Sequence, residues 1–294
     1  MSPSANPLDL SPELLSRLDR LSFSTRRAMM GRTAGQRVSP RPGTSVEFAD
    51  FRTYVPGDDF RRIDWNAYGR LDRLLLKLYL GEEDLALHLF VDTSASMDWG
   101  RPGKAWAARR IAGALAYLGL TSYDRVGAAG FAAAVGGLRR PLRGRRSAPR
   151  LWNFLAAMPS GGETDFSALR SLPRLPRGVS VVISDFLAEP GPSPAVTALR
   201  ERGQEVLLLQ VLAPQELEPD VQGDIALRDL ETGATVEVTV TPALLGAYRE
   251  ALDQLGDRLA ALARANGAVY LRVSSAEPPD RLLLGTMRRA GFLR

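Results

Sequence analysis

Residues 85–96 read LALHLFVDTSAS, and the fold turns on how this stretch is read. Leu85–Val91 is a continuous apolar run of strand length. A half-exposed strand alternates apolar and polar residues, whereas one covered on both faces does not, so this run predicts a buried strand. Asp92-Thr93-Ser94-Ala95-Ser96 then turns polar and small, as a tight turn leaving a strand would. Downstream the texture repeats. Val179–Ile183 (VSVVI) and Glu205–Leu212 (EVLLLQVL) are further buried runs, and Ala268–Val273 is a last strand. Helical stretches separate them: Lys104–Leu120, Arg150–Met158, one opening at Asp165, Ala195–Arg202, and a long one from Pro242 to Asn266-Gly267, with Asp280–Arg289 closing the chain. Arg125–Phe131 and Ala134–Leu142 read as two shorter strands in a hairpin. Buried parallel strands joined by helices predict an open, doubly wound, mostly parallel α/β sheet over residues 81–294. One departure interrupts it, a β-hairpin insertion at about 224–240 around Glu231-Thr232-Gly233.

Residues 1–80 have no such rhythm and read as an irregular N-terminal arm. Leu10–Leu21 predicts a short amphipathic helix started by Ser11-Pro12-Glu13. Ser45–Val55 and Leu74–Leu80 predict strands, with a turn at Pro56-Gly57. Asp58, Asp59 and Asp64 are matched by Arg52, Arg61 and Arg62, so ion pairs that pin the arm to the body explain them better than acid/base chemistry. Trp65 and Tyr54 are expected to anchor the arm by burial.

Composition narrows the function classes. The 294 residues are 45% apolar and 24% charged, a globular balance that argues against disorder or coiled coil. The absence of cysteine excludes disulfides, thiolate metal sites and cysteine nucleophiles, and the single His88 excludes multi-histidine zinc sites. The net charge of +5 is carried almost wholly by arginine, since Lys77 and Lys104 are the only lysines. That bias reflects composition more than phosphate binding. The six arginines of Arg139–Arg150 therefore read as a solvated loop, and nucleic acid is not the expected partner. Gly100-Arg101-Pro102-Gly103-Lys104 lacks the spacing and the hydroxyl residue of a phosphate-binding loop. Acids and prolines near the N-terminus and the lack of a run of about 18 apolar residues predict a cytoplasmic protein without membrane spans.

Ligands of open α/β sheets bind beyond the carboxyl ends of the strands. Asp92-x-Ser94-x-Ser96 follows one predicted strand and Ser184-Asp185-Phe186 follows another. The glycine-opened loop Gly161–Asp165 offers Thr164 between them. Two carboxylates (Asp92, Asp185) and three hydroxyls (Ser94, Ser96, Thr164) form an all-oxygen set suited to Mg²⁺ or Mn²⁺, weakly bound because most of the donors are neutral. The bland alternative is that Asp and Ser serve here as turn and helix caps.

These five residues, in this order, resemble the metal-ion-dependent adhesion site of von Willebrand factor A-type domains. Arg52–Trp65 (RTYVPGDDFRRIDW) resembles the hallmark of the bacterial domain-of-unknown-function-58 family, and the likeness extends over about residues 35–294. The resemblance implies a von Willebrand factor A (Rossmann-like) domain in which Ser94 and Ser96 bind the ion directly. Thr164 would bind directly or through water, and Asp92 and Asp185 mainly through water. The remaining position would go to an acidic side chain of a partner. Glu163 stands where such sites often carry glycine. The resemblance further implies a non-enzymatic adaptor working with a MoxR-type AAA+ ATPase in protein maturation or remodelling. Two alternatives stay open. One is a metal-dependent phosphoryl-transfer hydrolase using Asp92, which would need a carboxylate where Ser94 stands and a lysine near a strand end, whereas Lys104 is expected inside a helix. The other is a basic nucleic-acid-binding adaptor.

Overall fold

The computed structural model describes residues 6–24, 48–55, 58–60, 63–79 and 85–294. They fall into two units, residues 1–25 with 85–294, and residues 26–84. The first helix, α1 (Pro12–Leu18), therefore belongs with the α/β unit and not with the arm in which the sequence grouped it. Ser11 caps it, its hydroxyl accepting from the Leu14 N–H at 3.2 Å.

In the smaller unit β1 (Phe48–Thr53) pairs antiparallel with β2 (Leu75–Tyr79), and the connection holds an unexpected helix, α2 (Trp65–Leu71). Asp64 caps α2, accepting from the Asn66 and Ala67 N–H groups. The helix buries no side chain, so it carries no apolar stripe by which to be read. Arg52 and Asp58 pair at 2.8 Å, within this unit. Trp65 departs from expectation: it is 60% exposed and stands edge-on to Tyr68. The Pro56-Gly57 turn, Arg61 and Arg62 lie outside the described residues.

The larger unit is built on six strands: β3 (Ala86–Asp92), β4 (Arg125–Phe131), β5 (Val135–Leu142), β6 (Gly178–Ser184), β7 (Glu205–Leu212) and β10 (Val269–Ser274). Their order is β10-β7-β6-β3-β4-β5. All neighbours are parallel except β5, which runs antiparallel to β4 at the edge. The other strands, β8 (Gly223–Arg228) and β9 (Thr235–Val240), form the expected hairpin.

Both faces of the central strands are covered, which is why β3, β6 and β7 read as mainly apolar runs, whereas the edge strand β5 is largely exposed. Leu87, Leu89 and Val91 of β3 join one core with α3 (Lys104–Thr121) and α4 (Ala148–Ala156). Phe90 points into the other, with α5 (Ser193–Glu201) and α7 (Pro242–Ala265). The short helix α6 (Pro214–Leu217) follows β7. Residues around α1 seal the α3 side so closely that a Cβ on Gly113 would fall 2.3 Å from the Leu8 side chain. The arginine run spans the end of β5 and the turn into α4, where Arg145 pairs with Asp19 and lies over the Tyr117 ring. Charged side chains on an edge strand also discourage strand addition. Among the described residues no helix is long and apolar enough to cross a membrane.

Candidate functional site

The chain leaves β3 toward β4 on one side and later enters β6 on the other, so the carboxyl ends of β3 and β6 flank the switch point of the sheet. A crevice opens there in doubly wound folds. At the β3 end the Ser94 N–H turns back to Asp92 Oδ1 at 2.9 Å. A 3₁₀ turn over Ala95–Met97 follows, leaving the Ser94 and Ser96 hydroxyl oxygens 3.0 Å apart. The 161–164 loop crosses this end: the Gly161 N–H donates to Thr93 O and the Ala95 N–H to Gly162 O. Gly161 and Gly162 both have positive φ, which side chains would resist. The crossing sets the Thr164 hydroxyl 3.3 Å from Asp92 Oδ2. From β6, Ser184 donates its hydroxyl to the same oxygen at 2.6 Å.

Asp92 is 1% exposed, and among the described residues no basic side chain pairs with it. Burial pushes its carboxyl up to about 6, and the nearby Asp185 adds to the shift, while the hydrogen bonds from Ser184 and Ser94 oppose it.

Asp185 meets a different environment. Lys104 Nζ lies 2.7 Å from its Oδ2 and 2.5 Å from Glu216 Oε1 on α6, and the Lys104 and Asp185 side chains are both 1% exposed. Burial alone would lower the Lys104 pKa, but the two carboxylates outweigh it and raise the value. The expectation that no lysine lies near a strand end is corrected: Lys104 is the first residue of α3, and that end of the helix reaches the carboxyl edge of the sheet.

A fourth carboxylate arrives from the hairpin. Glu231 Oε2 accepts from the Thr164 N–H at 3.2 Å, and its Oε1 accepts from the Thr164 hydroxyl at 3.1 Å. Thr164 has one hydroxyl proton, and two carboxylates face it.

The structure thus gathers Asp92, Ser94, Ser96 and Thr164 at one edge and holds Asp185 beside them on Lys104. Among the described residues no three His, Cys, Asp or Glu side chains cluster as metal ligands, so a cation here would depend on the hydroxyls. The geometry suits that. Adjacent ligands of six-coordinate Mg²⁺, at bonds of about 2.0–2.1 Å, lie about 2.9 Å apart, close to the 3.0 Å between the two serine oxygens. The Asp92 carboxylate and the hydroxyl shared by two carboxylates supply the negative pole. Asp185, engaged by Lys104, would contribute charge and not contact.

Other residues resolve into structural roles. Glu163 is exposed, and Asp165 caps the next turn through the Ser167 N–H and hydroxyl. His88 Nε2 sits 3.1 Å from Pro176 O, in mid-strand, and burial lowers its pKa. Sequence reasoning missed Ser184, Lys104, Glu216 and Glu231. Ser184 had a signal, its place beside Asp185 at a strand end. The other three are brought in across 81, 112 and 67 residues of chain, separations that leave no local pattern.

The sheet is doubly wound with one antiparallel edge strand, the fold that the resemblance to von Willebrand factor A-type domains implies, and it places Asp92-x-Ser94-x-Ser96 after β3, Thr164 in the crossing loop and Asp185 after β6. Residues 50–257 match the family described as protein of unknown function DUF58, and the chain belongs to that family. It is 32% identical to the uncharacterized proteins Rv1480 of Mycobacterium tuberculosis and Mb1516 of Mycobacterium bovis, over 96% of this chain and 92% of theirs. Among solved structures it is similar to BatB from Bacteroides thetaiotaomicron, with a TM-score of 0.45 and 17% identity over 70% of this chain and 98% of that one. It is also similar to the SpRpn10 VWA domain, with a TM-score of 0.38 and 9% identity over 69% and 94%.

Proposed function

We propose that the protein is a non-enzymatic interaction module in which Asp92, Ser94, Ser96 and Thr164 hold a weakly bound Mg²⁺ or Mn²⁺, with Asp185 adding charge from behind Lys104. A partner protein supplies an acidic side chain to the site. One observation carries the reading: a buried carboxylate without a basic partner stands among the hydroxyls of Ser94, Ser96, Thr164 and Ser184 at the switch point of the sheet. When bound, the cation would supply a positive, oxygen-seeking point at the floor of the crevice. The protein's own groups set its position, and the sixth ligand place would go to an anionic oxygen from the partner.

The same residues are poorly arranged for hydrolysis. His88 is committed in mid-strand, and Lys104 is clamped between Asp185 and Glu216. Ser94 stands where a second carboxylate would serve as general acid. A MoxR-type AAA+ ATPase, or its client, is the partner class this reading takes from the family resemblance.

Calorimetric titration with Mn²⁺ tests the cation. Binding is expected for the parent protein, and its loss for Asp92→Ala and for Ser94→Ala with Ser96→Ala. Unchanged affinity in these variants would overturn the reading. With a purified MoxR-type ATPase immobilised, retention should require Mg²⁺ and be reversed by EDTA.

A further inference from the structure

We infer that Glu231 is a tethered stand-in for the partner's acidic side chain, so that the β8–β9 hairpin closes the site until another carboxylate displaces it. The inference deepens the proposed function and rests on it for the identity of the site, but its geometric basis is separate. Thr164 presents a backbone N–H and a hydroxyl side by side, a two-donor receptor matched to the two oxygens of a carboxylate. Glu231 fills it with one oxygen on each donor.

The hairpin is built to present that side chain. Asp229 Oδ1 accepts from the Glu231 and Thr232 N–H groups at 2.8 and 3.1 Å, and Gly233 takes the positive φ that the tight turn needs. Little else along the hairpin is buried: Leu227 is 54% exposed and Val236 60%. Withdrawal of the tip would expose little apolar area, so the hairpin belongs among the elements of a fold that open most readily. The contact is also electrostatically incomplete. Glu231 and Asp92 approach one hydroxyl that has a single proton, and the second carboxylate gains its full partner only when positive charge enters between them. The hairpin thereby indicates the ligand class: an aspartate or glutamate presented on a turn, reaching the Thr164 side of the crevice.

Gly223 and Val240 are partners in register. In antiparallel pairs such residues lie about 4.5–5.5 Å apart, so residues 224–239 can be replaced by a short Gly-Ser link without moving the flanking chain. The probe is a labelled peptide of residues 223–240, titrated in Mg²⁺ into the parent protein and into the trimmed one. A tethered group competes at an effective concentration of about millimolar. The peptide should therefore bind the trimmed protein at least tenfold more tightly than the parent, and a Glu231→Gln peptide should lose at least tenfold. Equal affinity for both proteins, equal affinity of both peptides, or no binding would overturn the proposal.

A second measurement does not depend on the trimmed chain folding. In full-length Glu231→Gln, hydrogen exchange at the Thr164 amide should accelerate at least tenfold over the parent, and unchanged exchange would overturn the proposal. Mn²⁺ titration of the parent separates the two ideas. Normal Mn²⁺ binding with an unresponsive Thr164 amide fails this inference alone, whereas absent Mn²⁺ binding fails the cation reading.

Discussion

The carboxyl edge of the six-stranded sheet and the smaller 48–79 unit draw on the same residue types: aspartates, a basic side chain and an aromatic beside them. In the smaller unit these groups act locally, and its ion pair lies in water while only the capping Asp64 is buried. Arg52 and Asp58, 46% and 24% exposed, pair across six residues of chain, and Asp64 caps the helix that starts at the next residue. At the sheet edge they act across the fold and out of water. Lys104 reaches Asp185 and Glu216, Ser184 reaches Asp92, and the lysine and both aspartates are essentially buried. The motif Arg52–Trp65 lies in or beside the smaller unit's strands, whereas the buried charges are concentrated at the sheet edge. A conspicuous motif therefore does not mark where a fold carries its costly charges, because burial decides that cost.

The largest effect should come from cutting the buried network. Lys104→Met leaves Asp185 and Glu216 without their cation, and removing one partner of a buried pair costs about 3–5 kcal/mol. Urea denaturation should show that loss, and adding Asp185→Asn should recover part of it because the orphaned charge is gone. A shift no larger than that of an exposed residue would collapse the contrast between the two regions. The same variant frees Asp185 for the cation site, so its Mn²⁺ affinity should rise; a fall would mean that Lys104 positions the site instead of withholding one of its carboxylates.

The next effect has an uncommon sign. Burial pushes the Asp92 carboxyl up from 3.8 to about 6. Between those values Asp92 holds more of its proton in the native state than in the unfolded chain, so its contribution to metal-free stability should fall as pH rises through that window and stay lower above it. A shift of about two pH units corresponds to roughly 3 kcal/mol. Asp92→Asn should abolish this dependence, leaving the metal-free variant more stable than the parent at pH 7 by up to that amount and no different below pH 4. Denaturation curves of parent and variant across pH in EDTA would check it, and a parent that loses no stability relative to Asp92→Asn between pH 4 and 6 would contradict it. Mg²⁺ should reverse the ranking at pH 7, since a ligand that binds only the native state stabilises the parent alone.

The contrast also explains what could be read in advance. The buried parallel strands were legible because strands covered on both faces are apolar at most positions on either face, as Leu87, Leu89 and Phe90 illustrate. Asp92, Ser94, Ser96 and Asp185 were legible because strand ends in such a sheet converge on one edge. Lys104 had no such signal because a lysine placed within a helix carries no sign of which strand end that helix reaches, and only the fold brings it to Asp185 and Glu216. Glu231 had no signal, since a glutamate in a hairpin turn is ordinary until the tip is seen on Thr164. Helix α2 was missed for the opposite reason: it buries nothing, and periodicity records burial.

The smallest effect belongs to the smaller unit and sharpens the comparison from its quiet side. Two tryptophans differ mainly in surroundings. Trp152 is 8% exposed, stacks on Tyr117 and donates its Nε1–H to Gly113 O at 3.0 Å, so both its ring and its polar atom are engaged. Trp65 is 60% exposed and touches Tyr68 only edge-on, with ring centroids 6.2 Å apart. Removing an exposed ring gives up little area that folding had taken from water, and substitutions at such positions usually stay within about 0.5 kcal/mol. Trp65→Ala should therefore leave the melting transition nearly in place, despite lying in the segment that resembles the family hallmark. Thermal melts of the single variant, beside Trp152→Ala as the buried counterpart, measure the difference directly. A loss at Trp65 equal to that at Trp152 would show that the smaller unit draws on burial as much as the sheet does, and the distinction between the two regions would fall with it.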